Sequence, residues 1–227
     1  QMHLNYTYLT TLKDFDLDFS LTASEHSNNH IRPDIIDSRF QDALIGEGGP
    51  NGDLTWNIFI PTENSPELVD YIRGAEISSK VADLTTIDVL ASSSLNDFDY
   101  VLGLQLNSEN LDIKYNDLAR AEFDQDGKIT KTADLFFLGG GKNVNESRNK
   151  YAAFFEGETE LFGSLDLRVA ARYESSDNFT SLDPKISLKY KPTDSFAVRL
   201  SQGTSFAMPS IAQMFSSDIN LVIAKEE

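Results

Sequence analysis

Alternation of apolar and polar residues with a period of two runs through much of the chain, and it predicts strands. Phe15, Leu17, Phe19, Leu21 and Ala23 are apolar, interleaved with Asp16, Asp18, Ser20, Thr22 and Ser24. Leu4, Tyr6 and Tyr8 alternate with Asn5 and Thr7, and Leu12-Lys13-Asp14 is a tight connection, so the two stretches form a hairpin. The pattern recurs three times. Ile87, Val89 and Ala91 precede a turn at Asn96-Asp97, followed by Phe98, Tyr100, Leu102, Leu104 and Leu106 opposed by Asp99, Gly103, Gln105 and Asn107. Tyr151, Ala153 and Phe155 run to a turn near Phe162-Gly163-Ser164. Leu165, Leu167, Val169, Ala171 and Tyr173 follow it, opposed by Asp166, Arg168, Ala170, Arg172 and Glu174. Ile186, Leu188 and Tyr190 lead through Pro192-Thr193-Asp194-Ser195 into Phe196, Val198 and Leu200. The sum is eight strands in four hairpins.

The connections differ sharply in length. Hairpin turns are short, whereas the segments between hairpins include two long loops, about 28–80 and 113–149, and a short one near 175–180. Short turns at one end and long loops at the other are the habit of a transmembrane β-barrel, with the long loops extracellular. The apolar face carries Tyr or Phe near the strand ends (Tyr6, Tyr8, Phe15, Tyr100, Tyr151, Tyr173, Tyr190, Phe196), as in the aromatic girdles of a bilayer interface. The opposite face carries Asp, Glu, Arg and Lys, which a packed core does not accept unpaired. The competing reading is a soluble antiparallel sheet with one wet face. The expected fold is all-β: an antiparallel transmembrane β-barrel fragment of about eight strands. Within the first loop, Ser65-Pro66-Glu67 predicts a helix start, with Leu68, Val69 and Ile72 on one face and Gly74 as its stop. Arg39 to Ile45 reads as a second short helix, and Ile45 to Gly52 as turn-rich, flexible chain.

Composition narrows the class. The chain has 227 residues, no cysteine and a formal net charge of −17. Disulfides and cysteine-ligated metals are excluded, and nucleic acid is an unsuitable partner for so acidic a surface. No apolar run exceeds Tyr151–Phe155, far short of the ~18 residues of a membrane helix. Gln1 to Leu4 has no signal-peptide character, and the end at Glu226-Glu227 is an unremarkable acidic tail, so the chain reads as a fragment or processed product of something longer.

From Tyr151 the chain carries a recognisable order of segments: Tyr151-Ala152-Ala153-Phe154-Phe155-Glu156, Leu165 to Glu174, Asp183-Pro184-Lys185-Ile186-Ser187-Leu188, Pro192-Thr193-Asp194-Ser195, then Arg199-Leu200-Ser201-Gln202-Gly203-Thr204-Ser205-Phe206 and Pro209-Ser210. This series resembles the barrel of TonB-dependent outer-membrane receptors, over Tyr151–Phe215 and again over Arg32–Gly74. Ala207 stands where that family usually has Arg. The resemblance implies a barrel of about 22 strands with a plugged lumen. It places the chain in a Gram-negative outer membrane, where the barrel meets outer-membrane lipid. The implied partners are the receptor's own plug domain, TonB through an N-terminal segment, and a small nutrient ligand. This chain carries neither plug nor TonB-contact segment.

No catalytic set is visible and no enzyme activity, cofactor or metal is expected. His26 and His30 are four apart, a metal-binding spacing only on a helix. Asp124-Gln125-Asp126-Gly127 has its glycine too early for a calcium loop and reads as a solvated turn. Gly139-Gly140-Gly141-Lys142 lacks phosphate-loop spacing and reads as a flexible loop. Two sets of residues remain as site candidates. Trp56, Phe59, Tyr71, Phe123, Phe136 and Phe137 are loop aromatics that either stack on a ligand or pack the loops. Asp166, Arg168, Arg172, Glu174, Lys185, Lys189 and Arg199 are expected to face the lumen. Residues 28–80 hold nine acidic and four basic residues, an anionic mouth that disfavours anionic ferric siderophores and suits cationic, neutral, peptide or sugar ligands. The expected function is capture and TonB-powered import of a scarce nutrient (siderophore, vitamin, sugar or peptide). A passive porin-like channel and a surface-binding barrel are the alternatives.

Overall fold

A computed structural model describes residues 1–177 and 179–215; the acidic tail lies outside them. The strands are β1 (Met2–Leu12), β2 (Phe15–Ile35), β3 (Arg73–Leu95), β4 (Phe98–Tyr115), β5 (Glu122–Phe123), β6 (Ile129–Lys131), β7 (Val144–Leu161), β8 (Leu165–Ser176), β9 (Phe179–Thr193) and β10 (Phe196–Gly203). Eight of them form one sheet in the order β1-β2-β3-β4-β7-β8-β9-β10, and β5 and β6 form a separate pair. Every neighbour in the large sheet is also the next large-sheet strand in sequence, so the four predicted hairpins and their order are present. The sheet is not closed: β1 and β10 are its edges. No helix among the described residues is long and apolar enough to cross a membrane, a statement that does not bear on strands.

The strands outrun the alternation that revealed them. β2 continues to Ile35 and β3 begins at Arg73, so the first long connection spans 36–72 rather than 28–80. β4 continues to Tyr115 and β7 begins at Val144, which shortens the second to 116–143. Beyond Ala23 and Leu106 the outward positions turn polar (Glu25, Ser27; Ser108, Asn110), and the two-sided hydrophobic signal disappears while backbone pairing goes on. At the opposite end the turns are short. The three non-glycine residues at positive φ among those described, Lys13, Asn96 and Phe162, each open one of these turns.

The contacts divide the chain into two units. The first comprises Gln1–His26, Ala82–Asn110 and Ser147–Ile211, the sheet segments joined by the short turns. Its registers fix the faces. Leu165↔Tyr190, Leu167↔Leu188 and Val169↔Ile186 align on one side, and Asp166↔Lys189, Arg168↔Ser187 and Arg172↔Asp183 on the other. On the apolar side Phe15, Tyr100, Phe98 and Phe155 form a row with centroid separations of 6.2, 6.1 and 6.4 Å. This row lies near the short turns, where an aromatic girdle belongs.

The second unit comprises, among the described residues, Ser27–Val81, Leu111–Glu146 and Ala212–Phe215, with the strand extensions and long loops. Helix α1 (Asp37–Leu44) and helix α2 (Pro66–Ile72) pack around Ala43, Leu68 and Ile72, with Phe40, Leu54 and Trp56 against them. The Ser65 hydroxyl accepts from the Leu68 N–H (3.2 Å), the predicted cap. Helix α1 has no such cap of its own, and the Asp134 carboxylate accepts from Ser38 N–H and Oγ–H at 2.8 and 2.7 Å instead. Gly74 does not stop α2. The helix ends at Ile72 and Gly74 lies inside β3, where a Cβ would fall 2.7 Å from Ile36 Cγ1. The glycine is required by that close approach. Gly139–Gly141 is likewise not a loose loop: Gly141 exchanges backbone hydrogen bonds with Ala119 and Ala121 at 2.9 and 3.0 Å and packs on the Tyr115 ring.

Gly103 supplies a test of the wall's packing. A Cβ there would lie 2.1 Å from the Phe154 ring, a clash with a large group wedged between neighbours. Gly103→Ala in the full-length protein is expected to lower stability by about 1–3 kcal/mol. The readout is the temperature at which the unboiled band shifts on detergent gels. Adding Phe154→Leu is expected to restore most of the loss; an unaltered Gly103→Ala would contradict the packing.

Candidate functional site

The polar face of the first unit is a connected lining. Ser20 donates to Asp88 (3.5 Å), Gln105 Nε2 donates to the same carboxylate (2.6 Å), and Arg172 donates to Gln105 Oε1 (2.9 Å) and Glu174 (2.5 Å). Asn107 donates to Gln105 (3.2 Å) and receives from Thr86 (2.6 Å). The chain of bonds therefore runs from β2 through β3 and β4 to β8. It passes over β7 because Gly103 leaves room for Phe154, and the Arg172 guanidinium lies 5.4 Å from that ring. Nearer the short turns Arg168 pairs with Glu158 and Glu156, and Lys189 with Asp166. Lys189 is opposite Arg199 in the β9–β10 register, and Lys185 is opposite Gly203. All seven charged residues singled out by alternation thus share one face of the sheet.

At the far end of this face is a tighter cluster, which the sequence reading passed over. Arg148 on β7 is 5% exposed. Its Nε donates to Glu109 on β4 (3.0 Å), its Nη1 donates to the Pro209 carbonyl (2.7 Å), and Lys150 also pairs with Glu109. Outward apolar residues on β4 end at Leu106, so Glu109 lies beyond the ~9–11 residues that cross a bilayer. Burial pushes the Glu109 carboxyl up, but hydrogen bonds and charge from Lys150 and Arg148 outweigh it and hold the carboxyl below the usual range.

In the second unit the loop aromatics divide. Trp56 and Phe136 pack edge-on against Phe40 (5.7 and 5.4 Å), and Tyr71 lies under the Arg39 guanidinium at 5.0 Å. Phe123 is half-buried in the β5–β6 pair. Phe59 is 89% exposed, and Phe137 is 65% exposed while its ring touches Phe136. Several acids of this unit hold the fold. Asp34 accepts from the N–H groups of Ile35, Phe137 and Leu138, and Glu76, 2% exposed, pairs with Arg32. The Glu76 hydrogen bond, against some desolvation, raises Arg32 above its ordinary value. Asp42, Glu47, Asp53, Glu63 and Glu67 remain at or near the surface.

The weaker motifs resolve into local structure. His26 and His30 both lie within β2, in extended backbone, where a spacing of four does not converge two imidazoles. No group of three or more metal-binding side chains occurs among the described residues. Asp124 Oδ1 accepts from the N–H groups of Asp126 (3.0 Å) and Lys128 (2.8 Å), the solvated turn expected there.

Lipid against the aromatic face and water against the charged one reconcile these two surfaces. That defines the chain's class: an all-β, antiparallel portion of a transmembrane β-barrel wall. The family model described as TonB dependent receptor-like, beta-barrel, matches residues 2–223, and the chain belongs to that family of outer-membrane transporters of Gram-negative bacteria. No curated protein sequence matches the chain.

The Glu109 cluster generates a pH prediction. A carboxyl whose folded pKa lies below its unfolded value, about 4.3, stabilises the fold at neutral pH. That contribution is lost as pH falls through the folded value. In the intact receptor, the gap in urea midpoint between wild type and Glu109→Gln is expected to be open at neutral pH and to close on acidification. A gap independent of pH would contradict the ion-pair account.

Proposed function

We propose that the chain is wall and outer vestibule of a receptor that captures a scarce nutrient and imports it with energy relayed by TonB. The observation that carries this reading is strand length. Crossing a bilayer takes ~9–11 residues, yet β2, β3, β4 and β7 have 21, 23, 18 and 18. In these strands the surplus carries backbone pairing on into the long connections, which suits a capture site built on those loops. Family membership supports the same reading.

In this reading the polar face lines the lumen. Asp166, Arg168, Arg172, Glu174, Lys185, Lys189 and Arg199 contact the plug or border the path that opens when TonB pulls on it. The internally bonded lining from Ser20 to Glu174 keeps the wall rigid, so that movement falls to the plug. Among the loop aromatics, Phe59 and Phe137 are the ligand-stacking candidates, since Trp56, Tyr71 and Phe136 already pack within the loops. The exposed acids Glu47, Asp53, Glu63 and Glu67 favour a cationic, neutral, sugar or peptide ligand over an anionic chelate.

The test is energy dependence. Cells producing the intact receptor are offered radiolabelled cobalamin, ferric siderophores, oligosaccharides and peptides. Accumulation of one of them is expected to fall to background when TonB is deleted or the proton-motive force is dissipated. Uptake that survives both treatments, with steady conductance in planar bilayers, would establish the passive channel instead.

A further inference from the structure

The chain leaving β10 does not continue outward. Thr204 N–H donates to the Pro184 carbonyl on β9 at 3.1 Å. The Phe206 ring then lies 6.4 Å from Phe179, on the polar face of β9. Pro209 reaches β7, where its carbonyl accepts from Arg148, and Arg148 is held in turn by Glu109 on β4. Ile211, 9% exposed, closes one side of a cavity of about 430 Å³. The other walls of that cavity include His3, Ser24, Leu84 and Glu109, from β1 to β4. Eight residues therefore run back across the sheet from β10 towards β3, over the face that carries the charged lining.

We propose that residues 204–211 form an inward-folded arm across the outer mouth of the lumen, and that Arg148 is the positioning residue that clasps it. The proposal rests on the reading of the polar face as the lumen side. Arg148 suits the task for a geometric reason. Its planar guanidinium offers donors in fixed, divergent directions, so one edge engages Glu109 on the wall while another engages a backbone carbonyl on the arm. A buried guanidinium without those partners would carry a large desolvation penalty, so wall and arm are coupled through it. Lys150, on the same strand, also pairs with Glu109. The arm narrows the approach to the cavity beneath Ile211, and a ligand entering from outside must pass it or displace it.

The 227 residues hold no cysteine; any cysteine elsewhere in the intact receptor is first replaced by serine, so that a single introduced thiol reports cleanly. Ile211→Cys is placed in the intact receptor, and intact cells are treated with a membrane-impermeant maleimide. Labelling is expected to be slow with Arg148 present and to rise at least about tenfold with Arg148→Ala, as a locally closed segment opens. Ser187→Cys on the wall is expected to keep its rate in both backgrounds. Lys150→Ala is expected to leave Ile211→Cys protected, and Arg148→Lys to restore protection in part. If Arg148→Ala fails to assemble, judged by the unboiled gel band, Glu109→Gln reads the same clasp with an intermediate rise. Fast labelling with Arg148 intact, or protection unchanged without it, would overturn the proposal. TonB-independent uptake would overturn the transport reading and leave this result standing, because the labelling does not depend on what is transported.

Discussion

A chain that crosses hydrocarbon must satisfy every backbone N–H and C=O from within the protein, and a β-wall does so only by pairing each strand with its neighbours. Everything else in the first unit follows from that constraint. Pairing fixes the pleat, the pleat sends successive side chains to opposite sides, and the two sides meet different solvents. Hence Leu165, Leu167 and Val169 align with Tyr190, Leu188 and Ile186 on one face, while Asp166, Arg168 and Arg172 align with Lys189, Ser187 and Asp183 on the other. A one-residue slip would exchange the faces wholesale, so the register is set as firmly as the pairing.

The polar face illustrates what such a wall does with its charges. Ionic groups facing a lumen cost little if they are paired or wet, and here several pair across strands, although Arg172 also meets Glu174 on its own strand. Arg168 meets Glu158 from β7, Lys189 meets Asp166 from β8, and Arg172 reaches over Phe154 to Gln105 on β4. The first two tie neighbouring strands and the third spans β7, all on the side where no lipid presses against them. Exposed pairs of this kind contribute little individually; the connected chain from Ser20 to Glu174 matters more for holding side chains in place than for overall stability.

Much of this was legible in the sequence because both solvents leave their mark on it. The four hairpins, the short turns, the polar face and the Ser65 cap are all read from alternation and local chemistry. The strand extensions are not, since beyond Ala23 and Leu106 both faces meet water or other protein, and the period-two signal vanishes with the lipid. Arg148 and Glu109 were missed for that reason: Arg148 fell in a stretch read as loop, although it lies in β7 and is among the most buried charged residues. Gly74 was misread because a glycine two residues past a helix resembles a stop signal, while its real constraint is Ile36, a contact distant in sequence. Among the loop aromatics, residue type alone did not separate Trp56, packed against Phe40, from the open ring of Phe59.

The central claim is that alternate residues of one strand meet lipid and water. The most direct test is a cysteine scan along β8 of the intact receptor in its outer membrane, from Leu165 to Glu174, after any cysteine outside these 227 residues, which hold none, has been replaced by serine. Each position is challenged with a water-soluble thiol reagent and a lipid-dissolved one. The account predicts strict alternation: the lipid reagent at positions 167, 169 and 171, the aqueous reagent at 166, 168 and 172. Aqueous labelling at every position would contradict it and return the chain to a water-soluble sheet.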